Sequence, residues 1–255
     1  MRFTTEGSDY RFGAVEGSDA ELTVAAIDRT PFTGWSFTGD RLPLEEVRLL
    51  APVIPSKVLA IGKNYAEHAR EMGGDAPATP VVFLKPSTSV IGPGDPIVHP
   101  RDSDRVDYEG ELAIVISSLC RDVVAERAAE VVLGYTIAND VTARDHQQAD
   151  GQWTRAKGHD TFCPLGPWIS TDVDAGDLAI RTLLDGEVVQ SSRTSLLLHD
   201  VGAIVAWCSA FTALLPGDVI LTGTPEGVGP IRPGQRVTVE VDGIGALSNP
   251  VVARA

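Results

Sequence analysis

Cysteine is scarce and scattered in this chain of 255 residues. Cys120, Cys163 and Cys208 form no C-x-x-C pair, which argues against thiolate zinc sites and dithiol redox motifs. An odd, widely spaced set suits a reducing compartment, so a cytoplasmic location is expected. Long apolar runs are missing. No stretch approaches the roughly eighteen apolar residues of a membrane-spanning helix, so no membrane partner is expected. The start, Met1-Arg2-Phe3-Thr4-Thr5-Glu6, carries an acid early and has no apolar core, so no secretory leader is expected. Positive charge is in short supply: 21 Lys and Arg stand against 35 Asp and Glu, a net charge of −14. That balance argues against nucleic acid and against an anionic membrane surface. Several catalytic signatures are also absent: no G-x-S-x-G elbow, no H-E-x-x-H pair and no Gly-Lys-Ser/Thr phosphate loop.

What is present is a chain long enough for one large domain plus a small appendage. Residues 1–55 read as a small β-rich domain and residues 56–255 as a second, larger one, with the break at Ala51-Pro52-Val53-Ile54-Pro55-Ser56. Glu6-Gly7-Ser8-Asp9 recurs as Glu16-Gly17-Ser18-Asp19, which predicts turns beside short strands at residues 10–15 and 22–27. Beyond the break, Val58 to Ile61, Val81 to Leu84 and Glu109 to Ile116 are apolar runs expected to be buried strands. Asp122 to Leu133 has helical spacing and ends at Gly134, a helix-stop signal. Asp185-Gly186 and Asp242-Gly243 predict hairpin turns. Asp200 to Phe211 predicts a helix capped by Asp200. Strands dominate, and the expected class is a β-rich α+β fold.

The most informative local feature is Val106-Asp107-Tyr108-Glu109-Gly110-Glu111-Leu112-Ala113-Ile114-Val115-Ile116. On a strand, Glu109 and Glu111 point to one face, and that face continues through Ala113 and Val115. Two like charges on a partly buried face repel each other and are costly to desolvate. A bound cation removes both costs; a solvated edge strand is the simpler alternative. Asp140 closes another apolar run, Tyr135 to Val141, although it would serve equally as the N-cap of a helix over residues 141–148. Three carboxylates without His or Cys suggest a hard divalent cation: Mg²⁺ or Mn²⁺, with Ca²⁺ possible.

These segments together resemble the fumarylacetoacetate hydrolase superfamily. Val106 to Leu112 is followed by Asn139-Asp140-Val141-Thr142-Ala143-Arg144-Asp145. Three more segments fit the same pattern in the same order: Gly62-Lys63-Asn64-Tyr65-Ala66-Glu67-His68, Phe83-Leu84-Lys85-Pro86-Ser87-Thr88, and Leu221-Thr222-Gly223-Thr224-Pro225-Glu226-Gly227-Val228-Gly229. The resemblance covers the chain from about residue 57 onward, and more weakly the first fifty residues. It implies a mixed β-roll, a homodimer, and a small 2-oxo or dioxo acid substrate. It implies that Glu109, Glu111 and Asp140 hold Mg²⁺ or Mn²⁺.

His68 and Glu71 are three apart and share a helical face, which on spacing alone suits an exposed ion pair. The resemblance implies instead a His–Glu pair that activates water. Lys157 alone reads as a solvated surface charge. Its place in the resemblance implies a cation near the metal that stabilises an enolate. The resemblance also implies that Thr224, with neighbouring amides, holds the substrate carboxylate. Arg144 and Gln147 lie four and seven residues past Asp140 and can reach the same ligand from one helical face. The first expectation is a metal-dependent hydrolase that cleaves a C–C bond of a 2,4-dioxo acid of acylpyruvate or fumarylpyruvate type. The alternatives are a 2-hydroxyhepta-2,4-diene-1,7-dioate isomerase and an oxaloacetate decarboxylase or tautomerase. A reading of another class is a non-catalytic metal-binding protein.

Overall fold

Short apolar runs closed by glycine or proline become strands here, and among the described residues those strands build four sheets. The structure is a computed structural model that describes residues 1–7, 9–17 and 21–254. The parts of the expected turns at Ser8 and Ser18-Asp19 lie outside the described residues. With about 42% strand and 19% helix, the architecture is the expected β-rich α+β class.

The first fifty residues form a five-stranded antiparallel sheet in the order Phe37–Pro43, Thr23–Ile27, Arg11–Glu16, Arg2–Thr4, Arg48–Leu50. Phe3, Val24 and Ala26 make its small core.

The central sheet has seven strands in the order Val81–Lys85, Val58–Gly62, Val219–Leu221, Gly110–Ile116, Val132–Asn139, Cys163–Ser170, Val90–Ile91. It is mixed: Val58–Gly62 runs parallel to Val219–Leu221, while Gly110–Ile116 is antiparallel to both its neighbours. Strand Gly110–Ile116 is therefore interior, not a solvated edge. Its alternation sorts side chains into two cores. Ala113 and Val115 pack with Val58, Ala60, Val219 and Leu221. Ile114 and Ile116 face the other way, toward Ile204, Val205 and Cys208 of the helix Val201–Phe211. A strand buried on both faces needs a continuous apolar run, which is what residues 112–116 supply.

A second sheet, in the order Glu187–Arg193, Ala179–Leu184, Arg236–Val241, Gly245–Ala253, Ile97–His99, packs against the beginning of that strand. Asp185-Gly186 turns between its first hairpin pair with φ of 51° and 89°, the left-handed values such a turn demands. Gly110 lies where the two sheets meet. A Cβ there would collide with Thr182 Oγ1 and stand 3.0 Å from Val239 Cγ1. A small third sheet pairs Val106–Tyr108 with Thr142–Ala143 and Gly229–Ile231.

Helix Val201–Phe211 starts where expected, with Asp200 Oδ1 accepting from the Ala203 amide at 2.8 Å. The helix expected over residues 122–133 shrinks to a 3₁₀ turn at Ala125–Glu130. Gly134 is not its cap. It lies within strand Val132–Asn139 opposite Val115, where a Cβ would press on the Ser170 carbonyl. Among the described residues no helix is long and apolar enough to cross a membrane.

Candidate active site

The three carboxylates of Glu109, Glu111 and Asp140 meet at the N-terminal end of the central strand. One ligand oxygen from each lies within 4.8 Å of the others, and all three residues are buried. Backbone pairing brings them together. The Asp140 amide donates to the Glu109 carbonyl at 2.8 Å, and the Glu109 amide donates to Asn139 Oδ1 at 2.9 Å. Asp140 thus lies one residue past Asn139, the end of the neighbouring strand. The next helix starts only at Arg144, so Asp140 is not its cap.

Three buried cations surround the group. Lys157 Nζ donates to Glu109 Oε2 at 2.8 Å and to Asp140 Oδ2 at 2.6 Å. Lys85 Nζ donates to Asp140 Oδ1 at 2.6 Å and to the Lys157 carbonyl at 2.6 Å. Arg144 lies 2.5 Å from Glu109 Oε1, and its Nε donates to Asp107 Oδ2 at 2.8 Å. Glu111 has no cationic partner among the described residues; its Oε2 accepts from the Gly223 amide at 2.6 Å.

The charge distribution follows from this. Burial alone would raise the Glu109 carboxyl, but the charges of Lys157 and Arg144, then His68, outweigh it and hold it below the ordinary carboxylate range. Glu111 goes the other way. Burial, then the charges of Asp140 and Glu109, push it well above the ordinary range against the weaker pull of Lys157 and the Gly223 amide. Burial works against the Lys157 ammonium, yet Asp140 and Glu109 raise it above the ordinary lysine value, so it stays charged.

A hard divalent cation fits these donors. All three are carboxylate oxygens, they converge within one coordination sphere, and Glu111 is a buried carboxylate short of positive charge. The residues that can hold the ion are Glu109, Glu111 and Asp140.

The triad opens into a cavity of about 260 Å³. His68, Arg144, Gln147, Lys157 and Thr224 all line it, so the structure brings these sequence candidates to one place. His68 sits on the short helix Ala66–Glu71 and is buried. Its Nδ1 lies 3.1 Å from Glu71 Oε2, and Glu71 also accepts from the Gly227 amide at 3.1 Å. Glu71 therefore ties the His68 ring to the 223–227 loop and does not itself line the cavity. Arg144 Nη1 donates to Gln147 Oε1 at 2.9 Å on helix Arg144–Asp150. The Thr224 hydroxyl is already engaged: it donates to the Gly110 carbonyl at 2.9 Å and accepts from Gln190 Nε2 at 2.9 Å. Ile61, Phe83 and Trp153 complete the apolar wall, with Phe83 and Trp153 packed edge to face at 5.2 Å.

Residues 57–252 match the family profile described as "Fumarylacetoacetate (FAA) hydrolase C-terminal". The chain belongs to the fumarylacetoacetate hydrolase family. Residues 1–52 match a separate profile, "Rv2993c-like, N-terminal". Among solved members of the fumarylacetoacetate hydrolase fold, a 5-carboxymethyl-2-hydroxymuconate delta-isomerase from Mycobacterium smegmatis is 57% identical. It superposes with a TM-score of 0.93 and covers 99% of this chain and 98% of its own. A 2-hydroxyhepta-2,4-diene-1,7-dioate isomerase from Mycobacterium marinum is 53% identical with a TM-score of 0.93, covering 100% and 98%. A mitochondrial oxaloacetate tautomerase, fahd2 of Xenopus laevis, is 44% identical over 83% of this chain and 70% of its own. These names agree better with the isomerase and tautomerase alternative than with the C–C hydrolase expected first.

Several residues of this site carry little or no mark in the sequence. Lys85, for which the motif Phe83-Leu84-Lys85-Pro86 implies no role, is buried against Asp140. A lysine closing an apolar strand before a proline was the available signal. Asp107, buried beneath Arg144, carries the same kind of signal: an acid two residues before a glutamate pair. Gln190 donates to Thr224 and accepts from the Gly110 amide at 3.0 Å; nothing in its local sequence marks it.

Proposed function

We propose that this protein is a divalent-cation-dependent isomerase or tautomerase that interconverts the enol and keto forms of a 2-oxo acid. The observation that carries the reading is the buried carboxylate triad, with Lys157 across two of its members and His68 on the wall of the same cavity. Glu109, Glu111 and Asp140 are the residues to hold Mg²⁺ or Mn²⁺. Bound there, the cation supplies Lewis-acid stabilisation of an enolate and a template for the substrate carboxylate.

The side chains do the rest. Lys157 adds a fixed positive charge where the 2-oxygen gains negative charge. His68, held through Nδ1 by Glu71, presents Nε2 to take the proton from the carbon next to the carbonyl and deliver it to the 2-oxygen, or in the reverse direction to take it from the enol oxygen and deliver it to that carbon. Arg144 is braced by Asp107 and Gln147, and with Gln147 orients the carboxylate end of the substrate. Ile61, Phe83 and Trp153 keep water from the enolate. Proton transfer between carbon and oxygen needs one base and one electrophilic site, and no attacking water.

A second reading, cleavage of a 2,4-dioxo acid, is favoured by one observation. The His68–Glu71 hydrogen bond of 3.1 Å also suits activation of a water. Product analysis separates the two. Enol oxaloacetate, 2-hydroxyhepta-2,4-diene-1,7-dioate and an acylpyruvate are each incubated with protein and Mg²⁺ or Mn²⁺. Isomerisation of either of the first two, with the acylpyruvate left intact, supports the proposal. Pyruvate and a free acid released from the acylpyruvate, with neither isomerisation seen, would replace it with the hydrolase reading.

A further inference from the structure

Lys63 is the cation in this cavity that the site leaves unspent. Arg144 and Lys157 line the same cavity, but both pair with carboxylates of the protein and both already serve the 2-oxo acid end of the substrate in the enol–keto reading. Lys63 is half-buried on the cavity wall and makes no hydrogen bond or ion pair with another side chain among the described residues. Its position is also held at a cost. Lys63 adopts φ of 56°, in the left-handed region that a residue with a Cβ rarely occupies. That backbone turn comes directly after strand Val58–Gly62 and before the helix that carries His68. The ammonium reaches the segment beyond that helix: a Cβ on Gly74 would stand 3.2 Å from Nζ. Lys63 thus shares the cavity wall with His68 and Met72, and its ammonium extends toward Gly74, just beyond that wall.

The global charge makes such a group necessary for one class of substrate. A protein of net charge −14 repels a dianion, and a second carboxylate entering a partly dry cavity needs a local counter-ion. We propose that Lys63 binds the distal carboxylate of a dicarboxylic substrate, so that this protein acts on 2-oxo diacids in preference to 2-oxo monoacids. This rests on the enol–keto reading of the same site and adds its substrate class. The first carboxylate is bound at the triad end of the cavity, and Lys63 reads the second. Arginine at this position keeps the charge. A neutral side chain of equal length removes it while leaving the triad, His68 and Lys157 in place.

The test uses two 2-oxo acids that rest in the keto form and differ only in the terminal group, 2-oxoglutarate and 2-oxopentanoate, titrated calorimetrically into the Mg²⁺-loaded protein. The wild type is expected to bind the diacid about tenfold or more tightly than the monoacid, as one charge-assisted contact provides. Lys63→Met is expected to bring the ratio to about one, and Lys63→Arg to restore most of it. A wild-type ratio near one, or a ratio that Lys63→Met leaves intact, would overturn the inference. These titrations require no turnover. A protein that discriminates the two ligands through Lys63 but isomerises no 2-oxo acid keeps the subsite and loses the proposed activity. A protein that isomerises enol oxaloacetate and shows no Lys63-dependent ratio does the reverse.

Discussion

Lys157 Nζ lies 2.6 Å from Asp140 Oδ2, and neither side chain is more than 3% exposed. The same ammonium reaches Glu109, so one buried cation bridges two members of a three-carboxylate group. Breaking such a buried arrangement by removing one partner typically costs about 3–5 kcal/mol. Lys157→Met is therefore expected to lower the melting temperature of the chelated protein sharply. Added Mg²⁺ should recover part of that loss, because it supplies charge to the same oxygens. The rate should not recover, and should stay down by about 10²–10³-fold, as for loss of one preorganised electrostatic donor. Thermal scans with and without Mg²⁺, beside steady-state rates, check both.

Glu111 should behave in the opposite sense. It is the triad member without a cation, and burial with its acidic neighbours disfavours its charge. Glu111→Gln removes that penalty. The chelated protein should melt higher than wild type, while Mg²⁺ affinity falls by at least about tenfold through loss of one ligand. A variant that melts lower in chelator would contradict the charge assignment.

The pH dependence follows from the same two glutamates. The folded value of Glu111 lies above its unfolded value, so the folded metal-free chain holds an extra proton. Its contribution is complete below the ordinary glutamate value and is lost as pH rises through the raised folded one. Glu109 is held low, so its contribution is present above the ordinary value and lost as pH falls toward the lowered one. Metal must displace the Glu111 proton. Apparent Mg²⁺ affinity should therefore rise with pH, by about tenfold per unit below the raised value. Calorimetry in buffers of different ionisation enthalpy should show about one proton released per Mg²⁺ bound at the low end of that window.

His68 and Glu71 divide base from support. His68→Ala should lower the isomerisation rate by about 10²–10⁴-fold, the usual worth of a positioned general base. Glu71→Gln keeps a hydrogen bond to the ring and should cost far less. Equal losses in kcat would show that Glu71 does more than orient His68.

Much of this site is legible in the sequence, for physical reasons. Glu109 and Glu111 share a face because strand side chains alternate, and Asp140 marks the end of an apolar run. The helix over Val201–Phe211 announces itself with Asp200. Lys85 and Gln190 are hidden because their partners are distant in sequence: Asp140 is 55 residues from Lys85, and Gly110 is 80 from Gln190. The predicted helix ending at Gly134 fails because that glycine answers to a neighbouring strand, not to a helix end. Burial against Ser170 is a tertiary fact with no local trace. The choice between hydrolysis and isomerisation is not written in the triad, since both reactions pass through one enolate.

Gly110 shows how fold and site are joined. It separates the two glutamates, and Thr182 and Val239 of the second sheet leave no room there for a Cβ. Gly110→Ala should destabilise the chain by about 1–3 kcal/mol, the usual cost of overpacking a close-packed core. It should also weaken Mg²⁺ binding, because relief of the clash moves the strand that carries Glu111. Denaturant melts and Mg²⁺ titration of the variant test the two effects together.

The most direct test of the central claim is proton NMR of oxaloacetate in D₂O with the Mg²⁺-loaded protein. Reversible enolisation at the triad predicts deuterium entering C-3 well above the protein-free rate. That excess should vanish with chelator, return with Mg²⁺, and be lost in His68→Ala. Exchange at the protein-free rate with metal present, or an excess unchanged by exhaustive chelation, would contradict it.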